Sequence, residues 1–313
     1  MKSKKNILIL GGGGFIGSHL VEFLRKEYSI TVFDKKNFSR NNLRSFEKDI
    51  EIIEGDFYNI KDIENLVRHK DYIFHLVWST LPANSNKNPI YDVETNALSS
   101  LKLLEVLKNK KKTKTIFVSS GGTVYGNTKQ VPTNEDGHTD PLCSYGITKL
   151  MVEKYFRLYN HLYGFDGIIT RLSNPYGERQ NLTYNHGLVT TLLYKIITKQ
   201  DIEIWGDGKI VRDYIYIKDA VNGLEKVLTY NGSHKLFNIS SGKGLSINQI
   251  LEVISKTLKI KLNVKYKRSR KFDVKQNVLD YSLALRELKW FPKTTLEEGI
   301  RITYNWLLKN TGR

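Results

Sequence analysis

Gly11-Gly12-Gly13-Gly14-Phe15-Ile16-Gly17 is the stretch on which the reading of this chain turns. An apolar run at residues 7–10 leads into it, and an amphipathic stretch at 15–25 leads out. Glycines 11, 14 and 17 are spaced GxxGxxG. Between a strand and a helix, that spacing permits a tight turn. It also lets backbone N–H groups approach a pyrophosphate and lets the helix pack closely on the strand. A plain glycine-rich turn is the alternative, and the position between strand and helix argues against it.

Outward from this loop, short apolar runs alternate with helical patterns. Residues 7–10, 30–33, 50–53, 72–76, 115–118 and 167–172 read as strands, with helices over 15–25, 62–68, 92–107 and 145–163. Continuous apolar strands separated by helices predict a parallel sheet covered on both faces. The expected fold class is α/β, a Rossmann-type doubly wound sheet. Beyond residue 173 the rhythm changes to a helix near 187–198, a Gly206-Asp207-Gly208 turn, an alternating strand at 213–217, a helix near 220–228 and a strand at 236–239. Residues 247–313 carry at least two more helices and a strand near 262–266. The pattern predicts a cofactor-binding domain over 1–175, rejoined by a segment near 213–243. A smaller mixed α/β substrate-binding domain would come from 176–212 and 244–313.

Asp34 ends the second strand, 23 residues after Gly11. A carboxylate there accepts hydrogen bonds from ribose hydroxyls and repels a 2′-phosphate, which favours NAD over NADP. Lys35 and Lys36 soften that preference. Asp56, after Gly55, could bind the adenine amino group or serve as a turn residue.

The net charge of +17 raises the question of an acidic partner. The lysines are scattered, apart from Lys108, Lys110, Lys111, Lys112 and Lys114 at an expected helix end, where cations suit the macrodipole. No aromatic residue interleaves them, and basic charge also suits an anionic diphosphate ligand. No nucleic-acid partner, membrane partner or metal site is expected. No apolar run approaches the roughly 18 residues of a membrane span, and the run after Met1–Lys5 is too short for a signal peptide. The single cysteine, Cys143, excludes an internal disulfide and fits a reducing cytoplasm.

Tyr145 and Lys149 stand four apart in Tyr-Gly-Ile-Thr-Lys. The same spacing recurs at Tyr125–Lys129, around a Gly126-Asn127 turn, and at Tyr214–Lys218, in an alternating strand. Only Tyr145 opens a long helical pattern, where positions i and i+4 share a face. Free tyrosine titrates near 10, and a nearby ammonium is expected to lower that value. The phenolate could then take a proton from a sugar hydroxyl while hydride leaves the same carbon for a nicotinamide.

Together these stretches resemble the extended short-chain dehydrogenase/reductases of the NAD-dependent epimerase/dehydratase family, and within it most closely the UDP-sugar 4-epimerases. The resemblance runs through GGGGFIGSHL (11–20), Gly55-Asp56, His75-Leu76, Asn96, SSGGTVYG (119–126), Tyr145–Lys149, RLSNPYG (171–177), GDGKIVRDYIYIKD (206–219) and residues 288–290. It implies that Tyr145 is the general acid/base and that Lys149 holds the nicotinamide ribose. It implies an NAD site formed by Gly11, Gly14, Phe15, Ile16, Gly17, Asp34, Asp56, Phe57, Leu76, Asn96 and Ser119 with Tyr145 and Lys149. Asn174 would contact the sugar diphosphate. Arg212 and Arg270, the latter with Asp273, would grip the diphosphate and the nucleoside ribose through forked guanidinium donors. The resemblance also implies a homodimer through the helices at 92–107 and 145–163.

Two departures stand out. The family's usual Ser or Thr beside the reacting hydroxyl is replaced by Gly121, so Ser120 or Thr123 must substitute, and Thr123 is favoured. The usual His-Leu-Ala-Ala reads His75-Leu76-Val77-Trp78, which puts Trp78 beside the nicotinamide, in the sugar pocket wall or in the core. Beside Gly121-Gly122-Thr123 there is no carboxylate of the kind dehydratases use, and decarboxylase-like relatives usually carry Glu where Thr123 stands. That leaves reversible redox at one carbon. The expectation is a UDP-hexose or UDP-N-acetylhexosamine 4-epimerase of surface polysaccharide or sugar-nucleotide biosynthesis. A nucleotide-sugar dehydrogenase or 4-ketoreductase, and then a non-catalytic NAD-binding protein, are the alternatives. Asn277, four residues after Asp273, is expected to gate sugar size and to tolerate N-acetyl groups.

Overall fold

The structure, a computed structural model, describes residues 4–128, 130–182, 187–268 and 274–311. Its strands are β1 (Asn6–Leu10), β2 (Ser29–Lys35), β3 (Glu51–Gly55), β4 (Tyr72–His75), β5 (Lys114–Ser120), β6 (Gly167–Leu172), β7 (Asn174–Tyr176), β8 (Ile202–Trp205), β9 (Val211–Tyr216), β10 (Leu236–Ile239), β11 (Gly244–Ser246), β12 (Val264–Lys267) and β13 (Gln276–Asn277). The helices are α1 (Phe15–Leu24), α2 (Ile60–Leu66), α3 (Pro89–Asp92), α4 (Ser99–Leu107), α5 (Gly121–Val124), α6 (Ser144–Tyr163), α7 (Leu188–Ile197), α8 (Ile217–Thr229), α9 (Ile247–Leu258), α10 (Ser282–Leu288) and α11 (Leu296–Asn310).

Seven strands form one parallel sheet in the order β10-β6-β5-β4-β1-β2-β3. Alternate residues of each strand feed opposite faces. Ile7 and Ile9 join the core under α1 and α8, whereas Leu8 and Leu10 join Leu104 of α4 and Val152 and Phe156 of α6. Both faces are therefore dry, which is why β1 is apolar after Asn6 and β6 is buried along its whole length. The doubly wound α/β expectation holds.

Two expectations need correction. The helix expected over 92–107 is three pieces: α3, a π-helical turn at Val93–Leu98, and α4. The strand at 213–217 does not rejoin the main sheet. It lies in β9, the centre of a second sheet flanked by β11 and β13, with β7 paired along it. The reason is its alternation. Asp213 and Ile215 are buried while Arg212 and Tyr214 are half-exposed, a one-sided pattern unsuited to a sheet covered twice. The rest of that segment returns as expected: the helix near 220–228 is α8, and the strand at 236–239 is β10, which pairs with the outer edge of β6.

Candidate active site

Strand order reverses between β1 and β4, and ligands of open α/β sheets bind beyond the strand ends at such a point. A cavity of about 430 Å³ lies there. Gly11, Gly14, Phe15, Ile16 and Gly17 form one wall; Leu76, Trp78, Ser119, Ser120, Thr123, Tyr145 and Lys149 surround the centre; Asn174, Arg212 and Tyr214 close the far side.

The glycine wall is a cradle that side chains would fill. Gly11 has φ +85°, in the left-handed region, and a Cβ on it would sit 3.0 Å from the Val77 nitrogen. A Cβ on Gly17 would lie 2.3 Å from the Gly11 oxygen. The first turn of α1 carries no acidic side chain, so its N–H groups face the cavity unopposed. Asp34 braces this loop by accepting from Gly13 N and Lys35 N, each at 2.9 Å. Burial pushes the Asp34 carboxyl above its ordinary value, against the pull of those two N–H groups. The neighbouring Arg40 is held by Glu47 and Glu54. These features fit the pyrophosphate and ribose of NAD. Asp34, Asp56 and Phe57 are not among the cavity-lining residues; Asp56 is exposed and accepts from Tyr58 N, and Phe57 is buried.

Tyr145 and Lys149 sit in the first turn and a half of α6, whose start is fastened from several sides. Tyr145 N donates to Ser85 Oγ at 3.0 Å, and Ser144 N donates to Asn86 Oδ1 at 2.8 Å. The buried Asp92 carboxylate accepts from Ser144 Oγ (2.7 Å), Thr148 Oγ1 (2.9 Å), Asn96 Nδ2 (2.9 Å) and the Thr80 hydroxyl. Sequence reasoning missed Asp92, because its partners come from three separate stretches.

Burial raises the pKa of the Tyr145 phenol, and a hydrogen bond with Ser120 works against that rise. The expected acidification by Lys149 does not prevail. The Lys149 ammonium lies 5.8 Å from the Tyr145 ring centre and donates instead to the Val118 oxygen at 2.8 Å. Burial lowers its own pKa to about 7. Both candidate hydroxyls line the cavity; that of Ser120 pulls the Tyr145 phenol down against burial, while that of Thr123 donates back to the Ser120 oxygen at 3.4 Å. The glycine at 121 has a steric cause. A Cβ there would fall 2.3 Å from Cδ1 of Leu279, which is fully buried.

The other named residues divide. Asn174 and Arg212 line the cavity, with Asn174 Nδ2 donating to the Asp213 oxygen at 2.8 Å. Asn96 and Asn277 do not line it. Asn96 clamps the loop after β4, accepting from Ser79 N at 2.8 Å. Asn277 is buried behind Gly121 and donates to its oxygen at 3.0 Å, so a gating role would have to act through Gly121. Arg270 and Asp273 fall outside the described residues. Of the two decoys, Tyr125 is buried and donates to Asn238 Oδ1 at 2.8 Å, whereas Tyr214 does reach the cavity, without Lys218, which pairs with Glu178. Among the described residues no cluster of potential metal ligands forms, and no helix is long and apolar enough to cross a membrane.

A glycine cradle at the switch point of a doubly wound sheet, facing a Tyr–Lys helix start, defines a dinucleotide-dependent enzyme of the extended short-chain dehydrogenase/reductase type. The family model described as "NAD dependent epimerase/dehydratase family" matches residues 7–240, and the chain belongs to that family. A solved UDP-glucose 4-epimerase of Thermotoga maritima, with UDP-glucose, is similar to it at 32% identity and a TM-score of 0.92, covering 98% of this chain and 99% of the other. A UDP-N-acetylglucosamine 4-epimerase of Methanobrevibacter ruminantium, in complex with UDP-N-acetylmuramic acid, follows at 31% identity and a TM-score of 0.91, covering 99% of each. A dTDP-4-dehydro-6-deoxyglucose reductase of Escherichia coli is 33% identical over 308 residues, 96% of this chain and 97% of the relative.

Proposed function

We propose that this chain is an NAD-dependent nucleotide-sugar 4-epimerase acting on a UDP-hexose or UDP-N-acetylhexosamine. The observation that carries the reading is that Tyr145, Lys149 and Ser120 line one cavity with the glycine cradle, Asn174 and Arg212. Bound NAD supplies a hydride acceptor that can return the hydride, together with a positively charged ring. With that positive ring favouring the Tyr145 phenolate against the effect of burial, Tyr145 would take the C4 hydroxyl proton as hydride leaves C4, and give it back after the 4-keto sugar has presented its other face. Ser120 orients the reacting hydroxyl, and Lys149 holds the nicotinamide ribose. Asn174 and Arg212 take the diphosphate, and Arg270 with Asp273 the nucleoside end.

The test is incubation with UDP-glucose, UDP-N-acetylglucosamine and other nucleotide-sugars, followed by NMR. A 4-epimer with no net NADH supports the reading. Tyr145→Phe should lose about 10²–10⁴-fold in rate while still binding NAD. Product from UDP-glucose and none from UDP-N-acetylglucosamine removes the hexosamine part. No epimer from any sugar removes the whole.

A second reading, a 4-ketoreductase, is favoured by the reductase relative and by a Tyr145 that burial keeps protonated, as a proton donor to a ketone should be. It requires stoichiometric, substrate-dependent loss of free NADH. In either case we place the enzyme in the cytoplasm, within surface polysaccharide or sugar-nucleotide synthesis. We also propose a homodimer through α6 and the α3–α4 helices, because Ile147, Leu158 and Leu162 leave an exposed apolar stripe on α6.

A further inference from the structure

Lys149 carries three N–H donors and is 3% exposed. Among the described residues one acceptor meets it, the Val118 oxygen at 2.8 Å, and no carboxylate pairs with it. Glu153, on its own helix, is held by Arg171 and Ser119. Asp92 faces it from α3 but is surrounded by neutral donors. His75 faces it from β4, where burial holds the imidazole neutral with a pKa of about 3. What lies over the ammonium is aromatic: the Trp78 ring centre at 3.7 Å and that of Phe117 at 4.8 Å. Tryptophan offers a cation the strongest such face.

The same residue has an unspent donor. Trp78 Nε1 is buried and meets no acceptor among the described residues, although Trp78 lines the cavity. Leaving a buried donor unmatched is costly. The ring cannot easily turn away to find water. It stands edge-on to Tyr145 at 5.9 Å and 70°, and the next two residues are clamped, Ser79 by Asn96 and Thr80 by Asp92.

We infer that Trp78 is a positioning residue: its face seats the Lys149 ammonium beside Tyr145, and its indole N–H donates to a hydroxyl oxygen of the bound ligand, on the cofactor ribose or on the substrate sugar. The inference rests on reading Tyr145 and Lys149 as the reacting pair. A small residue at 78 would offer neither the face nor the donor.

Two substitutions separate the roles. Trp78→Phe keeps a ring and removes the N–H; Trp78→Leu removes both, with Trp78→Met in its place where Leu does not fold. Circular dichroism melts check folding. The Lys149 titration is followed by NMR of protein labelled at lysine ¹³Cε, with the signal assigned by Lys149→Arg. Binding is followed by calorimetry, with NAD alone and then with UDP-glucose on NAD-saturated protein. The Lys149 midpoint should fall by at least about half a pH unit in Trp78→Leu, because the lost face favoured the charged form, and by less in Trp78→Phe. Trp78→Phe should weaken one ligand by about tenfold, the worth of one hydrogen bond from a buried donor. Weakening in the NAD arm places the acceptor on the cofactor; weakening only in the UDP-glucose arm places it on the sugar. An unchanged Lys149 midpoint in Trp78→Leu overturns the seating role. Unchanged affinities for both ligands in Trp78→Phe overturn the donor role. Neither readout needs turnover, so failure of the proposed reaction would show separately, as absence of product from every sugar.

Discussion

Gly121→Ser introduces the hydroxyl that the family resemblance leads one to expect at this position, and it should harm this protein. A Cβ at 121 falls 2.3 Å from Leu279 Cδ1 and 3.3 Å from Leu279 Cγ, whereas carbon pairs rest at about 3.5–4.0 Å. One side must therefore yield by more than about 1 Å. Leu279 has little freedom to do so. It is fully buried beside Val124 and Tyr125, its N–H donates to Asp213 Oδ2 at 3.3 Å, and its oxygen accepts from Ser240 Oγ at 3.2 Å. Overpacking of this kind costs about 1–3 kcal/mol. At about 2 °C per kcal/mol for a chain of this size, the melting midpoint should drop by about 2–6 °C. The assay is calorimetric melting of wild type, Gly121→Ser, Leu279→Ala and the double variant. Leu279→Ala alone should cost about 2–5 kcal/mol through its cavity. The double variant should be less destabilised than the two singles together, because the introduced serine side chain then occupies vacated space. A Gly121→Ser protein that melts with wild type, or strict additivity in the double variant, refutes the packing explanation for the glycine.

Glu153→Gln strands the buried Arg171 without its 2.6 Å partner and should cost about 3–5 kcal/mol, measured by urea unfolding; the double change Glu153→Leu with Arg171→Met should recover most of it. Lys149 titrates near 7 in the folded protein and at an ordinary 10.5 when unfolded, so between those values the unfolded chain holds the extra proton and this site's contribution to stability rises with pH. The stability of wild type minus that of Lys149→Met should therefore grow from pH 6 to pH 9 in urea midpoints, and a flat difference would mean that the lysine is not desolvated as described. Ile147→Asp with Leu158→Asp, on the exposed stripe of α6, should halve the sedimenting mass of the proposed homodimer without lowering the melting midpoint of the isolated chain; an unchanged mass removes the proposed interface.

Local features are the ones open to sequence reading. The GxxGxxG loop, the apolar strands and the choice of Tyr145 over Tyr125 each depend on neighbours within a few residues. Features that depend on where a distant segment lands are not. By sequence Thr123 is the better partner for Tyr145, yet Gly121–Val124 winds into a helical turn that directs the Thr123 hydroxyl back to Ser120. Gly121 reads as the loss of a catalytic hydroxyl, while its cause, Leu279, lies far along the chain. Resemblance alone assigns Asn96 to the cofactor, and the π-helical turn that carries it makes it a clamp for Ser79 instead. Spacing along the helix predicts a Tyr145 acidified by the lysine, but burial raises the phenol and the pull against it comes from Ser120, a balance no pairwise spacing reports.

The packing of Leu279 under Gly121 bears on the order in which the protein is made. The cradle at 11–17 emerges first, the pair at 145–149 near mid-chain, and Leu279, which closes the back of the loop at 119–124, comes near the end. Asp213 joins these stages. Its carboxylate waits for N–H groups from Ser241, Gly242 and finally Leu279. Chain order alone means that the residues of the glycine cradle are made before Asn174, Arg212 and Tyr214, which close the far side of the cavity. A chain stopped short of residue 279 would keep Gly121 but lose the residue that makes glycine necessary there.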